Sequence, residues 1–153
     1  MNDHRRLERL SRSQALELLS SVPIGRLVFT HQALPAIRPV NHLVEGESIV
    51  VRTTSGATIT TVAGRSGAVV AYEADSLDTA RQVGWSVIIV GTARLLEDEA
   101  AAERYRSLLT PWLSGAMDDV IVIAADIVTG FEMVPGDPAD CGQVGSITSA
   151  HPR

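Results

Sequence analysis

The sequence predicts a mainly β protein, a small antiparallel β-barrel with peripheral helices. Three observations carry this. Most of residues 24–96 falls into stretches rich in Val, Ile and Thr, separated by short turn-like segments, and these residue types favour a pleated, half-buried backbone. Only two segments, 13–21 and 97–109, show clear helical character. A chain of 153 residues, 45% apolar and 20% charged, has the size and composition of one globular domain. At this length roughly 68–70% of the unfolded surface can be buried, and six or seven short strands suit a small barrel.

Taken in order, residues 1–12 carry Arg5, Arg6, Arg9 and Arg12 with no apolar run behind them. They are expected to be a flexible basic segment, not a secretory signal. Residues 13–21 (SQALELLSS) form a short helix capped by Ser13, with Leu16 and Leu19 on its buried side and Pro23-Ile24-Gly25 ending it. Segments 24–30, 34–44 and 48–54 make a three-strand antiparallel meander, and 55–63 is a weak helical turn between Gly56 and Gly64. Strands follow at 67–74 and 85–96. In 97–109 (EDEAAAERYRSLL) acids lead and arginines follow, which matches the helix dipole; Thr110-Pro111 stops that helix. Strands at 120–124 and 127–134 complete the set, within a domain spanning 13–134. Residues 135–153 are small, polar and rich in breakers, and are expected to be a disordered tail.

Several function classes are disfavoured. A net charge of −5 argues against a nucleic-acid binder. The longest run without a polar residue, 120–125, is far too short for a membrane helix. The single cysteine, Cys141, excludes an intrachain disulfide and suits a reducing cytoplasm. His4, His31, His42 and His151 have no metal-site spacing, so no metal is expected. All thirteen basic residues are arginine. Schiff-base chemistry and a Walker A loop are therefore absent, and any anion must be held by guanidinium forks, hydroxyls and backbone amides.

The informative stretch is 35–60, PAIRPVNHLVEGESIVVRTTSGATIT. A turn centred on Glu45-Gly46, with Val44 opposite Glu47, places Asn41 opposite Val50, Pro39 opposite Arg52 and Arg38 opposite Thr53. Alternation then sets Asn41, Arg52 and Thr54 on one sheet face, and Arg38 and Thr53 on the other. Two arginines near Thr53, Thr54, Ser55, Gly56 and Thr58 form a candidate phosphate site. The competing reading is a threonine-rich strand with two solvated arginines.

These residues also carry a resemblance. From about residue 16 to 134 the chain resembles the pyridoxamine 5′-phosphate oxidase-like superfamily of FMN-binding split barrels, in particular the small bacterial flavoproteins related to nitroimidazole-resistance proteins. The matching pieces are Gly25-Arg26-Leu27, Pro35-x-x-x-Pro39-Val40-Asn41, Arg52-Thr53 with Gly56, Gly84-Trp85-Ser86-Val87, Gly91-x-Ala93, Pro111-Trp112 and Ile127-x-Thr129-Gly130.

The resemblance implies a six-stranded antiparallel Greek-key split barrel that forms a homodimer, with FMN at the subunit interface. It further implies that Arg38, Pro39, Val40 and Asn41 run along the isoalloxazine ring. Arg52, Thr53, Thr54 and Thr58 would lie near the ribityl phosphate, and Trp85 and Ser86 would approach the flavin, from the same subunit or from its partner, with Trp112 as packing. Two departures stand out: relatives often carry a lysine where Thr58 stands, and an arginine where Phe131 stands. They imply weaker FMN retention, or a deazaflavin cofactor instead. The function expected is a flavin-dependent oxidoreductase acting on a small soluble substrate in the cytoplasm. The alternatives are a non-catalytic flavin carrier or sensor, a cofactor-free dimeric interaction module, and a haem protein using His42.

Overall fold

The computed structural model describes residues 5–64, 66–112 and 116–136. The expected disordered tail, except Pro135 and Gly136, lies outside these residues, as do Cys141, His4 and His151. Eight strands and three helices are described: β1 (Arg5–Arg9), α1 (Arg12–Ser20), β2 (Ile24–His31), β3 (Leu34–Glu45), β4 (Ser48–Thr53), α2 (Thr58–Ala63), β5 (Ala68–Asp78), β6 (Val83–Leu95), α3 (Glu99–Leu108), β7 (Asp119–Ala124) and β8 (Ile127–Pro135).

Strands pair in the order β1-β8-β6-β5-β2-β3-β4-β7, and β7 returns to β6. The ring β6-β5-β2-β3-β4-β7 is thus a closed six-stranded antiparallel barrel. The meander β2-β3-β4 with β5 returning beside β2 is a Greek key. β8 and β1 are added outside the ring.

Closure requires one edge of β6 to serve two strands. Its first half, Gly84 to Val90, pairs with β8. Its second half, Ala93 to Leu95, pairs with β7. Between them stands Gly91, where an added Cβ would meet the Ala124 carbonyl oxygen at 1.6 Å. Only a residue without a side chain lets the β7–β8 turn cross β6 this closely.

Three local expectations are corrected. Residues 5–9, expected to be flexible, form β1 and pair along β8 from Arg5↔Pro135 to Arg9↔Phe131. Helix α1 is capped by Ser11, not Ser13, through a capping box with Gln14, which satisfies two orphan donors reciprocally. The β3–β4 hairpin pairs Glu45 with Ser48 and Val44 with Ile49, two residues from the expected register. Gly46, with φ 59°, takes the first position of a two-residue turn, which suits the twist of the flanking strands. Because the shift is even, the expected sharing of faces survives it.

The core fills the barrel with Leu27, Phe29, Ile49, Val51, Tyr72, Val87, Ile89, Ile121 and Ile123, and Ala15 and Leu19 of α1 pack against them. A smaller cluster outside, Val50, Val120 and Ala102, fixes α3 across β4 and β7. His42 is the one buried polar residue among the described residues. Its Nε2–H donates to the Leu19 carbonyl at 2.8 Å, and its Nδ1 accepts from the Tyr72 hydroxyl at 2.6 Å. The carbonyl can only accept, which assigns this neutral tautomer. Both ring nitrogens are thereby used, which leaves none for haem. Burial lowers the His42 pKa from 6.5, partly opposed by the Leu19 bond.

Gly91→Ala should destabilise the fold by several kcal/mol or prevent folding, since backbone must move. Gly46→Ala, with nothing within 4 Å, should cost only about 1–2 kcal/mol from its left-handed backbone. Urea unfolding midpoints test the contrast. The depressed His42 pKa has a definite sign: the unfolded chain takes up the proton first as pH falls through about 6.5. Its stabilising contribution is therefore complete above that pH and lost below it. Between pH 7 and 5.5 the wild-type midpoint should fall more steeply than that of His42→Asn.

Candidate functional site

At one end of the barrel a cleft of about 230 Å³ opens between β3, the end of β4 and the start of α2. Its floor is apolar: Leu27, Phe29, Val51 and Ile59. Its walls are Arg38, Pro39, Val40, Arg52, Thr53, Thr54, Ala57, Thr58 and Met117. No carboxylate among the described residues lines it. In a chain of net charge −5 this is a local concentration of cationic and hydroxyl donors over an apolar floor, which favours an anionic group attached to an apolar body.

β-Structure sets which side chains reach it. Arg38 pairs with Leu27 of β2 and so shares the cleft-facing side of the sheet. Its guanidinium is exposed, bonds the adjacent Ile37 carbonyl at 2.8 Å, and has no carboxylate partner among the described residues. Thr53 ends β4, Thr54 follows in the turn, and Thr58 begins α2, whose N-terminus has no side-chain cap.

Arg52 behaves differently. Its Nε and Nη2 donate to the Met117 carbonyl at 2.9 and 2.7 Å, and its Nη1 donates to the carbonyls of Arg106 and Leu109 at 3.0 and 2.9 Å. Four of its five N–H donors are thus committed. The expected phosphate ligand instead fastens the end of α3 to the segment before β7, satisfying carbonyls that the helix leaves without partners. Asn41 works on the same segment, accepting from the Trp112 backbone N–H at 3.2 Å. It lines a neighbouring depression with Ile24, Pro39, Val40 and Trp112.

The cleft therefore brings together seven expected residues: Arg38, Pro39, Val40, Arg52, Thr53, Thr54 and Thr58. Asn41 stands beside it. Within one subunit Trp85 and Ser86 lie away from this cleft: Trp85 points inward and belongs to the core, and Ser86 lies on the opposite, outer side of β6. Trp112, expected to pack, is 66% exposed. The floor residues Leu27 and Phe29 were not among the expected site residues, although their alternation on β2 marks them as inward-facing. Met117 has no sequence signal.

A closed barrel with a branched strand β6 and a donor-rich cleft at one end defines a split-barrel protein. The family described as pyridoxamine 5′-phosphate oxidase matches residues 11–133, and the chain belongs to it. An uncharacterised protein of Mycobacterium tuberculosis is 49% identical over 134 residues, covering 85% of this chain and 88% of that one. An FAD-binding protein from Mycobacterium smegmatis has a similar structure, with TM-score 0.64 and 28% identity over 83% of this chain and 98% of that one. A Bacteroides thetaiotaomicron protein assigned to 5-nitroimidazole antibiotic resistance shares the fold, with TM-score 0.65 and 13% identity over 85% and 89% of the two chains.

Arg52→Ala should lower stability by about 1–3 kcal/mol, because it strips donors from part-buried carbonyls. It should also speed hydrogen exchange at the Trp112 amide, measured without any ligand. Arg52→Lys should restore little, because a single ammonium cannot reproduce the guanidinium fork.

Proposed function

We propose that the chain binds FMN in this cleft and acts, as a homodimer, as a flavin-dependent oxidoreductase on a small-molecule substrate. The observation that carries the reading is the donor set: the Arg38 guanidinium and three threonine hydroxyls, with no opposing carboxylate among the described residues, beside the apolar Pro39–Val40 wall. A phosphate fits the first group and a planar ring the second. Membership of the pyridoxamine 5′-phosphate oxidase family and likeness to an FAD-binding protein support a flavin in particular. When bound, the flavin supplies the electron-transfer chemistry; the residues of the chain bind it, orient it and exclude water from one side.

In this reading Arg38, Thr53, Thr54 and Thr58 hold the phosphate, Pro39, Val40 and Asn41 follow the ring, and Arg52 acts on the site's edge through the segment it fastens. Thr58 contributes a neutral hydrogen bond where a lysine would add charge, which lowers affinity by about one to two decades.

The dimer is supported by two features. The cleft is smaller than the roughly 300–1,000 Å³ of most ligand pockets, as expected of a site completed by another copy. On the outer side of the sheet, strand register aligns Ile37, Val28, Ala71, Val90 and Ile127 in one row across five strands. Ile37 and Ile127 are 58% and 60% exposed, with exposed Val69 and Ile88 beside them. An apolar row of this extent on a sheet face suits an isologous interface. Ser86 lies on this same face, within the surface a second copy would meet.

Titration of the purified protein with FMN and riboflavin, followed by flavin fluorescence, tests the reading. Saturation at one FMN per subunit is expected, with riboflavin weaker. Arg38→Ala should weaken FMN by about tenfold or more and leave riboflavin nearly unchanged, and Thr58→Lys should tighten FMN. Equal losses for both ligands in Arg38→Ala would remove the phosphate assignment. Preference for a deazaflavin in a parallel titration would replace FMN as the cofactor.

A further inference from the structure

Trp112 is an unusual residue to leave exposed. Its side chain is 66% accessible, yet its backbone N–H is held and residues before and after it in the chain are anchored. Asn41 accepts from its N–H, and Arg52 fixes the carbonyls of Arg106 and Leu109 before it and of Met117 after it. Extending the β3–β4 register by one pair places Asn41 opposite Arg52, so both anchors leave the same side of the sheet. Asn41 thus holds the Trp112 backbone directly, while Arg52 holds Arg106, Leu109 and Met117 on either side of it in sequence.

The indole lies at a depression of about 210 Å³ formed with Ile24, Pro39, Val40 and Asn41. Pro39 and Val40 also line the cationic cleft. The two hollows therefore adjoin at Pro39 and Val40, with guanidinium and hydroxyl donors around one and the Trp112 indole beside the other. That sequence of chemistries matches a ligand with a phosphate at one end and a planar ring at the other.

We propose that Trp112 is the aromatic wall of this site, stacking against the planar heteroaromatic ring of the bound cofactor, with Asn41 and Arg52 as the residues that position it. This rests on the FMN reading above and adds to it a ring-recognition residue and the two anchors behind it. It also gives Arg52 a reason to lie at the cleft while its donors are used elsewhere: it acts on the ligand through the segment carrying Trp112.

The test uses the whole protein and needs no turnover. The chain has two tryptophans, so its nitrogen–proton spectrum should show two indole N–H signals, which Trp112→Phe assigns. Both FMN and riboflavin should shift the Trp112 signal, because the ring is common to them. Trp112→Ala, at an exposed position, should keep the wild-type melting temperature. It should weaken both ligands by a similar factor, on the order of tenfold, in contrast to the FMN-selective loss of Arg38→Ala. Asn41→Ala should give part of the same loss in both ligands.

Unchanged affinity in Trp112→Ala, with FMN still bound by the wild type, would overturn this assignment and leave the FMN reading standing. A Trp112 signal that moves with protein concentration and not with ligand would also overturn it, by making the indole a subunit contact. If the wild type binds neither FMN nor riboflavin, the FMN reading fails, and the stacking role fails with it.

Discussion

The hydrogen-bonding edge of β6 is shared by two strands, and the rest of the molecule follows from how that edge is divided. One half holds β8, and through it β1; the other half takes β7 and closes the ring. The exchange happens within a few residues, where the Ala124 carbonyl lies against Gly91 with no room for a methyl group. Because β7 closes the barrel there, β4 ends beside α2 and β3 is left with a long margin that no strand covers. The cleft occupies that margin. A small barrel filled by its own side chains has no internal cavity for a ligand, so a site must form at an end or on an outer face.

The alternation of β3 and β4 then divides labour between the two sides of the sheet. Arg38 and Thr53 face the cleft, where an exposed guanidinium and hydroxyls meet an apolar floor. Asn41 and Arg52 face the other way and hold the segment between α3 and β7. Arg38 and Thr53 present donors to the cleft, while Asn41 and Arg52 hold the backbone beside it even where they border the two hollows. Arg52 shows why composition alone misjudges a cation at a cleft. A guanidinium with four donors already satisfied by carbonyls offers an incoming phosphate far less than one with a single bond to its neighbour.

Much of this was legible in the sequence, and the exceptions have physical causes. The Val-, Ile- and Thr-rich runs located every strand of the barrel, because half-buried pleated backbone imposes that composition. The sharing of faces among Asn41, Arg52, Arg38 and Thr53 was legible even though the hairpin register was two residues out, since period-two alternation is indifferent to an even slip. β1 was not legible: RRLER carries one apolar side chain, Leu7, which is 61% exposed, and the strand is held mainly by backbone pairing to β8. The commitment of Arg52 was equally hidden, because its partners are backbone carbonyls more than fifty residues away, and carbonyls leave no mark in a sequence. The inward direction of Trp85 depends on its register with Ser76 and Glu132, which no local motif specifies.

The central claim is that a phosphate-bearing flavin lies along β3 with its phosphate at Arg38 and the threonines. The most direct measurement is a crystal structure of the protein grown with FMN. The account predicts phosphate oxygens within hydrogen-bond reach of Arg38 and of Thr53, Thr54 or Thr58. It also predicts the ring along Pro39–Val40, with a second copy of the chain against the row from Ile37 to Ile127. Flavin bound at another surface, or a phosphate directed away from Arg38 and the threonines, would contradict it.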